Sequence, residues 1–127
     1  MPEVKKPRPV WYNLAPSAQP VNALVSIGHR ISGAFLFVGL FWLLYLLDAS
    51  LQSAQTFDRF RAVAGSPLAK IVLILFLWAF LHHFCAGLRF LLLDLHKGVD
   101  IASAKKTASG VFVVSIVLTL IVGALLW

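Results

Sequence analysis

Charged residues are scarce in this sequence, and their scarcity excludes an ordinary soluble domain. Asp, Glu, Lys and Arg make up 13% of the 127 residues, whereas 60% are hydrophobic, and the mean hydropathy is +0.87. A soluble globular domain carries about 25% charged residues. The composition therefore indicates an integral membrane protein in contact with lipid.

Acidic residues are rarer than basic ones, which leaves a net charge of +6. A basic excess can indicate nucleic-acid binding, but here the Lys and Arg residues cluster at the ends of apolar runs. Lys and Arg concentrate in this way in the cytoplasmic loops of membrane proteins. We therefore expect no nucleic-acid partner.

Cysteine occurs only once, as Cys85. A single thiol excludes an internal disulfide and any iron–sulfur cluster ligated by cysteines of this chain alone. The sequence also lacks a glycine-rich flavin or dinucleotide fingerprint. Residues 1–20 contain neither the apolar core of a signal peptide nor the Arg-rich and Ser-rich composition of a transit peptide, which favours a bacterial inner membrane.

Three long apolar runs follow a proline-punctuated arm of residues 1–20. Because about 20 apolar residues cross a bilayer, we expect membrane helices over about residues 22–51, 67–95 and 101–127. The predicted fold is an all-α integral membrane protein. It has a cytoplasmic arm and a three-helix anchor domain over residues 21–127.

Local signals place the ends of these helices. Ser66 followed by Pro67 is a helix start signal, and Asp100 is a candidate cap of the third membrane helix. Between the first two membrane helices, Phe57 and Phe60 lie on one face of a segment whose other faces are charged. That pattern predicts a short interfacial helix. The aromatic residues Trp11 and Tyr12 of the arm are expected at headgroup level.

The distribution of Lys and Arg predicts the orientation. Eight lie on the side of the amino terminus and of the loop between the second and third helices: Lys5, Lys6, Arg8, Arg30, Arg89, Lys97, Lys105 and Lys106. The remaining three lie between the first and second helices: Arg59, Arg61 and Lys70. The positive-inside rule therefore predicts a cytoplasmic amino terminus and a periplasmic carboxyl terminus.

Two adjacent histidines, His82 and His83, interrupt the apolar run of the second helix. Helical spacing places His83 beside the small residues Ala79, Ala86 and Gly87, so that a flat macrocycle such as haem could approach a nitrogen ligand. His82 points about 100° away, toward a less open strip. The alternative is that both imidazoles only hydrogen-bond neighbouring helices.

Polar groups also share one face of the first helix, where Ser26, His29, Arg30 and Gly33 follow helical spacing. The second helix returns to the same side with Arg89 near its end. We expect His29, Arg30 and Arg89 to surround the cytoplasmic mouth above His83. These cations suit the propionates of a haem, although both arginines could instead reach the lipid headgroups.

Two motifs carry a resemblance to a known family. The sequence S-I-G-H-R-I-S-G runs from Ser26 to Gly33, and H-x-x-x-G-x-R-x-x-x-x-D runs from His83 to Asp94. Together with the three-helix hydropathy, they resemble the cytochrome b membrane anchor of succinate dehydrogenase, respiratory complex II. The sequence departs from some members at Phe90, where they carry a second histidine.

This resemblance implies a function shared with other chains. In the family, the histidine matching His83 ligates haem b opposite a histidine of a partner anchor subunit, and residues matching His29 and Arg30 lie near the propionates. Residues matching Ser26 and Arg30 line the ubiquinone site. Succinate is oxidised in a flavoprotein subunit, and electrons reach the quinone through an iron–sulfur subunit. The chain would thus be non-catalytic alone.

Two other functions fit the same sequence features. One is a structural anchor without haem, and the other is the anchor of a quinol:fumarate reductase. We expect the chain to pair with another multi-helix membrane subunit, and the small residues are expected to face it: Gly28, Gly33, Ala79, Ala86 and Gly87. The third helix is expected to turn a bulky face to lipid: Phe112, Val113, Ile116, Leu120 and Leu126.

Overall fold

The computed structural model describes residues 9–10 and 12–127. The predicted headgroup residue Trp11 lies outside the described residues, as do Lys5, Lys6 and Arg8 of the orientation count. In the described part of the arm, a short 3₁₀ helix at Pro16–Ala18 precedes four α-helices. The predicted arrangement of three long apolar helices, with a short one between the first two, is confirmed.

The helices are α1 (Val21–Leu51), α2 (Ala54–Ala64), α3 (Pro67–Asp94) and α4 (Ile101–Leu126). Helices α1, α3 and α4 are long and apolar enough to cross a membrane. Helix α3 packs against both α1 and α4, and α1 also contacts α4.

Side-chain caps begin three of the helices. Ser53 and Thr56 form a reciprocal capping box at the start of α2. The predicted start of α3 is confirmed, because Ser66 Oγ accepts a hydrogen bond from the Ala69 backbone N–H at 3.3 Å and Pro67 follows it. Asp100 caps α4 as predicted, accepting from the Ser103 N–H at 2.9 Å.

The hydrogen bond from the Ser103 backbone N–H also lowers the pKa of the Asp100 carboxyl below its ordinary value. A carboxylate is favourable at a helix amino terminus, where the unsatisfied N–H groups carry partial positive charge. The stabilisation that the ionised Asp100 cap gives to the folded state is fully present above the ordinary pKa of an aspartate. It is lost as the pH falls through the lowered pKa.

The turn between α3 and α4 ends α3 with a Schellman motif. The Lys97 N–H donates to Leu92 O at 3.0 Å and the His96 N–H donates to Leu93 O at 2.9 Å. His96 adopts a left-handed φ of 57°, which this motif requires at the residue after the cap. The turn brings α4 back antiparallel to α3.

The core where α1, α3 and α4 meet is built from small and medium side chains: Val25, Ala86, Ala108 and Val111. Small residues allow membrane helices to approach closely, since lipid gives no hydrophobic drive for their association. Buried hydroxyls bond to their own helices; Thr119 Oγ1, for example, donates to Ser115 O at 2.7 Å. Large apolar side chains point outward along all three long helices.

Two sequence-based expectations about helix faces are wrong. Ala79 and Ala86 were expected on the side of a partner subunit, but both are buried inside this chain. Phe112 was expected to face lipid, but its ring packs on His82 with the centroids 5.1 Å apart. The other residues predicted to face outward on α4, Val113, Ile116, Leu120 and Leu126, are exposed.

Candidate functional site

His83 lies on α3 and faces α1, where its ring is half-buried. Its Nδ1 lies 3.0 Å from the backbone carbonyl oxygen of His29 and 3.2 Å from Ser32 Oγ. A carbonyl oxygen only accepts hydrogen bonds, so Nδ1 carries the proton in this arrangement. In a neutral imidazole of this tautomer, the lone pair that can bind a metal lies on the other ring nitrogen, Nε2.

His29 stacks on the ring of His83. The two centroids are 4.0 Å apart and the ring planes differ by 7°. The ring of Phe90 meets the ring of His29 edge-on, with the centroids 5.2 Å apart. The structure thus brings His29 and His83 together, as expected, and orients them face to face.

Glycines on α1 make room for both adjacent histidines. A Cβ at Gly33 would lie 2.9 Å from His83 Cε1, and a Cβ at Gly28 would lie 2.7 Å from His82 Nε2. Both distances are shorter than ordinary carbon contacts permit. The sequence analysis expected both glycines to face a partner subunit, whereas the structure packs each of them against a histidine of this chain's own α3.

His82 points away from His83 and into the core of the chain. It is 1% exposed and lies between Trp78 and Phe112, with ring centroids 5.3 Å and 5.1 Å away. Among the described residues, neither of its ring nitrogens has a hydrogen-bond partner, nor does Trp78 Nε1. The expectation that His82 sits in a more closed environment than His83 agrees with this burial.

Arg89 is enclosed by three helices, with an exposed fraction of 6%. Its Nε donates to Thr107 Oγ1 at 3.1 Å, and its Nη2 donates to Asn22 Oδ1 at 3.3 Å and to Ala104 O at 3.2 Å. These bonds join α3 to α1 and α4. At least two of the three guanidinium nitrogens therefore donate hydrogen bonds to this chain's own helices.

The remaining predicted site residues lie on α1 near His29. Ser26 is half-buried one turn before His29, and Arg30 is exposed directly after it. Sequence reasoning did not identify Ser32, Asn22 or Thr107, whose side chains contact His83 or Arg89. Ser32 lies within the motif and three residues after His29, which is the signal that could have found it.

Comparison with known proteins supports the resemblance. The family described as "Succinate dehydrogenase/Fumarate reductase transmembrane subunit" matches residues 4–122. The succinate dehydrogenase cytochrome b556 subunit of Coxiella burnetii is 34% identical over 121 residues, covering 94% of this chain and 97% of that protein.

Two further relatives carry the same description. The cytochrome b556 subunit of Paracoccus denitrificans is 36% identical over 90% of this chain and 88% of its own length. The cytochrome b556 subunit of Rickettsia typhi is 30% identical over 98% of this chain and 94% of its own length. The chain therefore belongs to the succinate dehydrogenase/fumarate reductase transmembrane subunit family, as a cytochrome b556 membrane subunit of succinate dehydrogenase.

Proposed function

We propose that this subunit holds haem b through His83 together with a second anchor subunit, and that it forms part of a ubiquinone reduction site with Ser26 and Arg30. The observation that carries the proposal is the hydrogen bond from His83 Nδ1 to the His29 carbonyl oxygen, 3.0 Å long. An iron-ligating histidine commonly donates its other N–H to a backbone carbonyl. The Nδ1 contact of His83 is therefore the one that supports its assignment as a haem ligand.

The surroundings of His83 fit a haem ligand in two further ways. Gly33 lets the His83 ring lie close against α1, since a Cβ there would lie 2.9 Å from His83 Cε1, and the stacked His29 ring limits rotation about the His83 side-chain bonds. Haem b, when bound, supplies a centre that takes up and gives off one electron at a time. In this proposal the chain's own contribution is an imidazole held in one orientation, with Nε2 as the ligating nitrogen.

Anionic propionates need cationic or hydrogen-bonding partners at the polar edge of the membrane. Arg30 and His29 are the groups we assign to them, since Arg30 is exposed and His29 lies against the ligand ring. Arg89 was expected in the same role. Because its Nε and Nη2 donate to Thr107, Asn22 and Ala104, we propose that it acts mainly by fixing α1 and α4 around α3.

Quinone reduction adds negative charge to the quinone oxygens. We propose that the Ser26 hydroxyl donates a hydrogen bond to one carbonyl and that the Arg30 guanidinium stabilises the developing charge. Both residues lie within one turn of His29 on α1. In this proposal the site opens at the cytoplasmic membrane face, and electrons arrive from the flavoprotein subunit through the iron–sulfur subunit.

A second histidine ligand has to come from another chain. His29 is the nearest candidate within this one, but its ring stacks flat on His83 at 4.0 Å. Rings stacked flat at this distance leave no room for a macrocycle between them, so His29 and His83 would not hold one haem together in this arrangement. The stacking therefore supports a partner anchor subunit as the source of the other ligand.

The proposal is tested on the purified complex by optical spectroscopy and by two activity assays. We expect a reduced b-type absorption spectrum, and we expect Ser26→Ala and Arg30→Leu to impair quinone reduction while succinate oxidation with a soluble artificial acceptor stays near wild type. Ser50→Ala and Arg59→Leu, on α1 and α2, are the matched controls. Absence of haem would favour the haem-free anchor, and wild-type quinone reduction in both variants would overturn the quinone assignment.

A further inference from the structure

Ser32 lies between the two groups that orient His83. It is 5% exposed, and its hydroxyl donates to the His29 carbonyl oxygen at 3.0 Å while its Oγ lies 3.2 Å from His83 Nδ1. A serine hydroxyl has one hydrogen, and the bond to His29 uses it. Toward His83, Ser32 therefore acts as an acceptor, and the Nδ1–H is shared between two oxygens.

We infer that Ser32 is a positioning residue for His83: together with the His29 carbonyl it selects the tautomer, sets the plane of the ring and increases the donor strength of Nε2. This inference rests on the proposed function, in which His83 ligates haem. Acceptors on the distal N–H of a ligating histidine orient the ring and raise its basicity. A more basic ligand stabilises the oxidised iron and so lowers the reduction potential.

The contact to His83 distinguishes Ser32 from an ordinary serine in a membrane helix. Such serines commonly bond to a carbonyl three or four residues back. Ser50 does so on the same helix, where its hydroxyl donates to Leu47 O at 2.7 Å. Ser50 is also buried. The two serines thus share burial and local bonding, and differ in that Ser32 also reaches an imidazole of another helix.

This pair gives a matched experiment on the assembled complex, with Ser32→Ala and Ser50→Ala compared by redox titration of the haem. We expect Ser32→Ala to raise the midpoint potential because one of the two acceptors on Nδ1–H is lost. At a fixed ambient potential, the ratio of oxidised to reduced haem should change by up to about tenfold. For a one-electron couple this corresponds to a midpoint shift of up to about 59 mV. Ser50→Ala should titrate as wild type.

The electron paramagnetic resonance spectrum of the oxidised haem provides a second readout, since it responds to the orientation of the ligand plane. It should change in Ser32→Ala and not in Ser50→Ala, and Ser32→Thr, which keeps a hydroxyl, should return both readouts toward wild type. Loss of haem from Ser32→Ala alone would also support the inference. Equal potentials and spectra in the two alanine variants, or equal loss of haem from both, would overturn it.

Failure of this inference is distinguishable from failure of the proposed function. A wild-type complex without haem b, or one whose His83→Ala variant keeps its full haem content and spectrum, contradicts the ligand assignment itself. A complex that loses haem in His83→Ala but shows no change in Ser32→Ala retains the ligand and contradicts only the role of Ser32.

Discussion

The adjacent residues His82 and His83 have opposite environments. Successive positions in an α-helix are about 100° apart, so His82 faces Phe112 of α4 while His83 faces Ser32 and Gly33 of α1. His82 is buried with two ring nitrogens that have no partner among the described residues. The Nδ1 of His83 has two oxygens within hydrogen-bond distance, Ser32 Oγ and the His29 carbonyl oxygen. The same residue type therefore packs in the core at one position and, in the proposed function, ligates haem at the next.

We predict that His83→Ala removes or strongly weakens haem binding and that His82→Leu does not. In the second variant an apolar side chain replaces two unpaired nitrogens, whose burial costs about 1 to 3 kcal/mol, so the thermal stability should be unchanged or higher. The haem content and the unfolding temperature of the purified complex measure both effects. Equal haem loss in the two variants would show that the assignment of the ligand is wrong.

Gly33 allows a second prediction with a control on another helix. Gly33→Ala places a Cβ 2.9 Å from His83 Cε1, and overpacking of this kind costs about 1 to 3 kcal/mol. We expect lower haem content and a shifted absorption spectrum. At Gly110 on α4, a Cβ would meet nothing within 4 Å, so Gly110→Ala should keep both at wild type. A normal spectrum in Gly33→Ala would mean that the His83 ring is not held against α1.

Helix ends could be predicted from the sequence because their signals are local. Ser66 with Pro67 and Asp100 are capping residues whose chemistry acts within three positions. The rotation of each helix about its axis could not be predicted in this way. It depends on how three helices pack together, and for that reason Phe112 and Ala86 were assigned to the wrong faces.

The same limit applies to the candidate site. His83, His29 and Gly33 could be grouped by spacing and by the family motif, and the structure brings them together. The contact between Ser32 and His83 could not be predicted from the sequence, since it joins residues of two helices and depends on a hydrogen-bond distance. Arg89 was recognised as a cation near the membrane boundary, but its partners on α1 and α4 were not.

Arg89 connects the three long helices, and its replacement should weaken their packing. Its three hydrogen bonds reach Asn22 on α1 and Thr107 and Ala104 on α4. An interhelical hydrogen bond in a membrane contributes about 0.6 kcal/mol, so Arg89→Leu should destabilise the subunit by about 2 kcal/mol. Thermal unfolding of the complex measures this, with Arg59→Leu on α2 as the control. Equal unfolding temperatures for the two variants would contradict a bridging role.

In the part of the chain that the structure describes, large apolar side chains surround a core of small and medium side chains. Val25, Ala86 and Ala108 form the centre together with Val111, whereas the large apolar side chains point outward. The half-buried His83 and the exposed Arg30 lie outside that centre. An arrangement of this kind suits a subunit whose functional side is covered by another membrane protein.

The last prediction concerns the membrane protein that would cover this side of the subunit. A charged side chain facing the hydrocarbon costs about 3 kcal/mol on insertion scales, and a second multi-helix anchor would remove this cost for Arg30 while supplying the other haem ligand. Expressed alone, the chain should give a low yield and little bound haem; co-expression with its partner anchor should restore both.

Haem absorbance per milligram of purified protein measures the difference, and His83→Ala in the co-expressed pair is the control for specific binding. A stable, haem-loaded form of this chain by itself would contradict the shared site. Both ligands would then lie within this chain. If they were His29 and His83, the two rings would first have to leave the stacked arrangement, in which the planes differ by 7°.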